Sequence, residues 1–434
     1  MPFEPTGHYD DNDRYFAEGS RLSIPKARLA RRHSEVRGIG GAAKLDHEAA
    51  RAAMDHRPQK STSTSTSRSV LDASGDIPNP TRLRLARKRR GLTQTALAKK
   101  IGVIRRAVVA HEAGHYSPSG ETLDAMSNVL GFPIEFFYGD DIDVPSVDTG
   151  SFRSMKKMTA AQRDMALSQA ALGIHLSGWL EVKFDLPAPD LPDLSCEREP
   201  VAAAATLRRM WGLGSLSIRN MIHLLESKGV RVFSLAVDAK EVDAFSMWKG
   251  KPFVFLNTHK TSEHSRFDAA HELGHLVMHK HGSPLGKELE KEANQFASAF
   301  LMPEGSVIAH RPRFPSYQTI VRIKKVWTTS VSATAYRLHE LGLITEWQYR
   351  GLCVEIAKRG RSVEPDEAPR ETSQILQKAL KLLHGEGMGR SGLAQALNLP
   401  VSELENLLFG LAMSGIDGGG KRTPTPPAQL KRVK

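Results

Sequence analysis

The sequence predicts a multidomain chain in which an all-α unit is followed by an α+β unit with a helical C-terminal extension. Three observations predict it. Residues 80–138 read as short helices punctuated by glycine and proline, residues 231–257 as three β-rich runs, and the chain after 261 as helix again. At 434 residues there is room for two or three compact units.

Both ends lack the apolar periodicity of a folded core. Residues 1–79 contain the basic stretch KARLARRH (26–33) and the repetitive KSTSTSTSRS (60–69), and they read as a disordered basic tail. Residues 415–434, rich in Gly, Pro and Lys, read as a second disordered tail. The net charge of +12 favours an anionic partner, nucleic acid ahead of a membrane surface. Cys196 and Cys353 are the only cysteines, which argues against a disulfide framework or a cysteine-rich zinc module. The start, MPFEPTGHYDDNDRYF, has no signal-peptide pattern, and no run of 18 apolar residues occurs. The expected location is the cytoplasm, without membrane contact.

Within 80–139 five short helices are expected, broken at Gly91, at Gly102, at Gly114 with Pro118, and at Gly131 with Pro133. Residues 140–195 form a helical connector ending in the break LPAPDLPDLS (186–195). The next domain is placed at 196–345. Its strands are RVFSLAV (231–237), AFSMW (244–248) and PFVFLN (252–257), and two helices follow near 261–281 and 286–302. PFVFLN is either an edge that pairs with an extended peptide or an inner strand. Residues 346–414 are a helical C-terminal region. Within it LAQALNLPVSELENLLFG has the size of one more helix-turn-helix.

The segment RLRLARKRRGLTQTALAKKIGVIRRAVVAHEAGHYSPSGETLDAMSNVLGFPIEFFYG, about 81–139, closely resembles the λ-repressor-like, or XRE, family of DNA-binding domains. The resemblance makes about Ile104 to Ala113 the recognition helix and double-stranded operator DNA the partner. In this docking mode the second helix starts at the backbone and the first residues of the third reach base edges. Gln94, Arg105 and Arg106 are the leading contact candidates, since an arginine fork grips phosphate or pairs with guanine. Lys99 and Lys100 are expected to touch phosphates. A homodimer is expected, because such domains usually read two half-sites.

The pattern His-Glu-x-x-His occurs twice, as HEAGH at 111–115 and HELGH at 271–275. A zinc site needs a helix that continues through both histidines, so that they share one face. HEAGH fails: Gly114 and HYSPSG end its helix and leave His115 in a turn. HELGH passes, because SRFDAAHELGHLVMHKHG keeps helical character past His275. Among the acids that follow, Glu290 shares a face with Ala293, Asn294, Ala297 and Leu301, while Glu288 aligns with Lys291, Glu292 and Gln295. Asp268, one turn before His271, either orients an imidazole or answers the helix dipole. His264, His279 and His281 read as solvated surface histidines.

HELGH with the downstream phrase EANQFASAFLMP strongly resembles the ImmA/IrrE family of zinc metallo-endopeptidases. The resemblance implies a zincin-like metallopeptidase domain holding Zn2+ through His271, His275 and Glu290, with Glu292 as the runner-up ligand. Glu272 then is the general base that takes a proton from water. It also implies a bacterial or phage regulatory setting and, as substrate, a λ-repressor-like regulator. Two other functions stay open on the sequence. One is a transcription factor whose peptidase-like domain senses a ligand or metal; the other is an antitoxin-like regulator.

Overall fold

The computed structural model describes residues 77–146, 158–235, 244–280, 286–360 and 364–412, together with the short strand at 431–432. Apart from residues 77–79, the predicted N-terminal tail lies outside the described residues, as do His281, Gly282 and Pro284. The C-terminal tail also lies outside them, except where Lys431–Arg432 (β5) pairs antiparallel with Phe184–Asp185 (β1).

The first helices are short because each meets a residue that stops it. α1 (Pro80–Arg89) starts at Asn79, whose side chain accepts from the Thr81 N–H. α2 (Gln94–Ile101) is capped by Thr93 and ends at Gly102, whose φ of 74° turns the chain into α3 (Arg105–Glu112). α4 (Gly120–Leu130) and a 3-10 turn at Ile134–Tyr138 close the unit. Their core includes Leu97, Val108, Leu123, Phe132, Phe136 and Phe137, all buried. Arg87 crosses this core to meet Glu112 at 2.5 Å, both side chains being buried.

α5 (Ala160–Lys183) opens with a capping box formed by Thr159 and Gln162. It touches both halves of the molecule. Asp164 accepts from Lys88 Nζ of α1 at 2.9 Å, and Gln169 donates to the Ser234 carbonyl at 3.1 Å. α6 (Pro200–Met210) and α7 (Met221–Ser227) follow, and then a three-stranded sheet. β2 (Arg231–Ser234) runs parallel to β4 (Lys251–Leu256), and β3 (Ala244–Lys249) runs antiparallel to β4. The strand PFVFLN is therefore the inner one, and its Phe255 stacks with Phe233 and Phe245 of its neighbours. Among the described residues, β2 and β3 are the outer strands on either side of it.

α8 (Ser262–Met278) lies on β3 and β4, and α9 (Lys287–Leu301) packs against α8 and α6. α8 and α9 approach closely where Gly274 meets Phe296. A Cβ at 274 would lie 2.9 Å from the Phe296 ring, so any side chain at this position forces the ring to shift. The start of α8 is held by residues 364–373. Lys324 is buried between Glu263 at 2.7 Å and Glu364 at 3.0 Å, Glu367 accepts from the Ser262 N–H, and Arg266 bonds Glu371. A charge this deeply buried persists because it is paired on two sides.

The remaining helices are α10 (Glu304–Ala309), α11 (Tyr317–Lys324), α12 (Val331–Glu340), α13 (Glu346–Arg359), α14 (Gln374–Gly385), α15 (Arg390–Ala396) and α16 (Val401–Leu408). No helix among the described residues is long and apolar enough to cross a membrane. The α8–α9 contact yields a direct test. Gly274→Ala should destabilise the fold by about 1–3 kcal/mol through overpacking against Phe296, read as a lower melting temperature. An unchanged melt would mean the two helices do not meet as described.

Candidate metal centre and DNA-binding surface

Helical periodicity puts His271 and His275 on one face of α8, and the α8–α9 crossing presents Glu290 of α9 to them. The two Nε2 atoms lie 3.0 Å apart. Glu290 Oε2 is 3.4 Å from His271 Nε2, and Oε1 is 3.6 Å from His275 Nε2. One ligand atom from each of the three residues falls within 4.8 Å of the others.

The outer contacts decide which nitrogens face inward. Asn294 Oδ1 lies 2.9 Å from His271 Nδ1 and can only accept, so Nδ1 carries the proton and the neutral ring keeps its lone pair on Nε2. On the other ring, His275 Nδ1 is 2.9 Å from His279 Nδ1, and His279 Nε2 is 2.9 Å from Glu292 Oε2. An ionised Glu292 accepts from His279 Nε2; His279 Nδ1 then accepts from His275 Nδ1, and His275 Nε2 is again left with a lone pair. Two lone pairs 3.0 Å apart repel unless a proton or a cation lies between them. Two neutral imidazoles and one carboxylate are the donor set of a zinc site with an open fourth position, so the residues present fit zinc.

Burial disfavours charge on His271, but the carboxylate of Glu290, helped by Glu272 and Asp268, pushes it up to about 9. Burial and the neighbouring His271 and His279 hold His275 well below the usual histidine range. Burial likewise lowers His279, against the pull of Glu292.

Glu272, between the histidines in sequence, is buried, and Ser246 Oγ of β3 donates to its Oε2 at 2.6 Å. β3 thus fixes the carboxylate of the candidate general base. Sequence reasoning missed Ser246, since a serine within a strand gives no signal. It also placed His279 in solvent, whereas that side chain is nearly buried between His275 and Glu292. The spacing 271, 275, 279 along one helix face was the available clue. Glu292, the runner-up ligand, sits behind His279 rather than beside His271. Asp268 faces His264, with Oδ2 at 3.6 Å from its Nε2, and the place beside His271 Nδ1 belongs to Asn294.

HEAGH is a different object. α3 ends at Glu112, Gly114 has a φ of 73° and His115 is exposed. His111 is buried with Nδ1 3.0 Å from the Tyr116 carbonyl, and Glu112 is committed to Arg87. In the same unit Arg105 and Arg106 open α3 and are exposed, and Lys99 and Lys100 at the end of α2 are exposed as well. Gln94 is half-buried, its amide nitrogen donating to Glu112 Oε2 at 2.9 Å.

Fold and site together define a DNA-binding helix-turn-helix domain joined to a metallopeptidase-like domain. Comparison with known proteins agrees. The helix-turn-helix family matches residues 83–137, and a peptidase family described as the IrrE N-terminal-like domain matches residues 225–339. An uncharacterized HTH-type transcriptional regulator of Methanocaldococcus jannaschii is 40% identical over 62 residues, covering 14% of this chain and 94% of that protein. The chain belongs to the helix-turn-helix transcriptional regulators and carries an IrrE N-terminal-like domain in the same polypeptide.

The outer contacts of the histidines carry a prediction. Asn294→Ala and His279→Ala should each weaken zinc binding by about 10–100-fold, measured by competition with a chromogenic chelator. Wild-type affinity in both variants would show that neither residue orients a ligand.

Proposed function

We propose that this chain is a DNA-binding regulator whose second domain is a zinc-dependent endopeptidase acting on a λ-repressor-like protein, another copy of this chain included. The observation that carries the reading is the meeting of His271, His275 and Glu290 at one point, with the buried Glu272 carboxylate acting electrostatically on His271 and bonded by Ser246. His271, His275 and Glu290 would hold Zn2+. When bound there, zinc would supply Lewis-acid polarisation of a carbonyl and a water of pKa about 7.

The chain's own residues do the rest. Glu272 takes a proton from the attacking water as the new C–O bond forms, and returns a proton to the amine nitrogen as the peptide C–N bond breaks. Ser246 keeps the carboxylate aimed by donating to Oε2. On the DNA side, Arg105 and Arg106 read base edges, Gln94 at the start of α2 meets the DNA backbone and Lys99 and Lys100 hold phosphates, with two copies binding as a homodimer across two half-sites.

The test uses the full chain with zinc and the λ-repressor-like regulators of its own source, itself among them. Wild type should yield a cut product that disappears with chelator. Glu272→Gln should lower cleavage at least about a hundredfold while leaving zinc content and DNA affinity unchanged. Cleavage that survives Glu272→Gln would contradict the catalytic role. Zinc bound at full stoichiometry with no regulator cut would favour a sensing role for the domain instead.

A further inference from the structure

We infer that residues 374–412 are a second helix-turn-helix unit, one that grips the first unit instead of DNA and so holds the DNA-binding domain to the peptidase-like domain. The two units follow the same backbone plan at one constant offset. α1, α2 and α3 end or begin at 89, 94, 105 and 112, and α14, α15 and α16 at 385, 390, 401 and 408. Left-handed residues recur in step: Gly91, Gly102 and Gly114 correspond to Gly387, Asn398 and Gly410.

The turn hydrogen bonds recur with them. Leu92 N–H donates to the Arg87 carbonyl and Val103 N–H to that of Ala98; Met388 N–H donates to Leu383 and Leu399 N–H to Ala394. The buried pair Leu97 and Ala98 returns as Leu393 and Ala394, and Val108 as Leu404. A backbone path with three left-handed turns in register is a strong constraint, because L-residues other than glycine and asparagine rarely enter that region.

What differs is the chemistry of the outer face. At the positions of Lys99, Lys100, Arg105 and Arg106 the second unit has Gln395, Ala396, Val401 and Ser402. Arg390 is the one basic residue in α15 and α16, and α16 has Glu403 and Glu405. Such a face offers phosphates almost nothing to neutralise them. The Arg87–Glu112 pair is replaced by Leu383 and Leu408, an apolar interior.

Glu403 shows what the helix binds. Fully buried, it accepts from Arg89 Nε at 2.8 Å and from Arg90 Nη1, both at the end of α1. Arg90 is anchored in the first unit by a 2.6 Å bond to the Leu130 carbonyl and by the ring of Phe132 beneath its guanidinium. The second unit is tied equally to the other half. Glu226 of α7 accepts from Ser373 Oγ and from the Gln374 and Ile375 N–H groups, capping α14. Thr258 Oγ1 donates to the Phe409 carbonyl at 2.9 Å, and His259 stacks on the Phe409 ring, just before the start of α8.

Two measurements on the full chain test this. The first is the anisotropy of labelled random-sequence 30-base-pair duplexes, in which Arg106→Glu should weaken binding at least about tenfold and Ser402→Glu, at the matching position, less than about twofold. An equal loss in Ser402→Glu would overturn the inference, since the second unit would then contact DNA. The second is hydrogen exchange in Glu403→Gln, where amides of 83–90 should exchange at least about tenfold faster and those of 267–277 within about twofold of wild type. Arg90→Gln, at the partly exposed edge of the contact, gives the same readout should Glu403→Gln not fold. Unchanged exchange over 83–90 in a folded variant would overturn the grip.

Discussion

The close crossing of α8 and α9 is the constraint on which the site depends. Neither helix holds a site alone: α8 supplies His271, Glu272 and His275, and α9 supplies Glu290, Asn294 and Glu292. Gly274 lets Phe296 approach, and the approach brings the Glu290 carboxylate to both imidazoles. The same contact sets the outer hydrogen bonds that aim each Nε2 inward. Ligands, their tautomers and the spacing of the acid thus follow from one packing event. The residues 364–373, which pair with Glu263, Arg266 and the Ser262 amide, hold the N-terminal end of α8.

Much of this was legible in the sequence because helix periodicity is a local property. The spacing of His271 and His275, and the face shared by Glu290 and Asn294, depend only on 3.6 residues per turn. The failure of HEAGH was equally local, since Gly114 ends its helix. Partners from elsewhere in the chain were not legible. Ser246 reaches Glu272 because β3 lies beside α8, and that neighbourhood is set by sheet order. The same order makes PFVFLN the inner strand, which no run of apolar residues reveals. His279 was misread because its partner Glu292 comes from the next helix.

The C-terminal segment shows a different limit. Its size suggested a helix-turn-helix, but almost no side-chain identity links it to residues 80–114 beyond small and apolar positions. The likeness lives in left-handed turns and the amides that close them, and asparagine can stand where glycine stood. Glu403 then links the halves of the molecule through a buried carboxylate shared by two arginines. Removing one partner of such a group strands a charge away from water, so the contact resists change more than a surface pair would. The segment 374–412 thus touches both the DNA-binding helices and the metallopeptidase-like half.

The groups that meet between α8 and α9 decide what the site can bind. Zinc-edge X-ray absorption on the full chain loaded with one equivalent of zinc reads them without reference to activity. The expected spectrum has two imidazole nitrogens and at least one carboxylate oxygen at about 2.0–2.2 Å, and it changes in the oxygen shell in Glu290→Gln. A shell containing sulfur or lacking two imidazoles, or a spectrum indifferent to Glu290→Gln, would contradict the site as described.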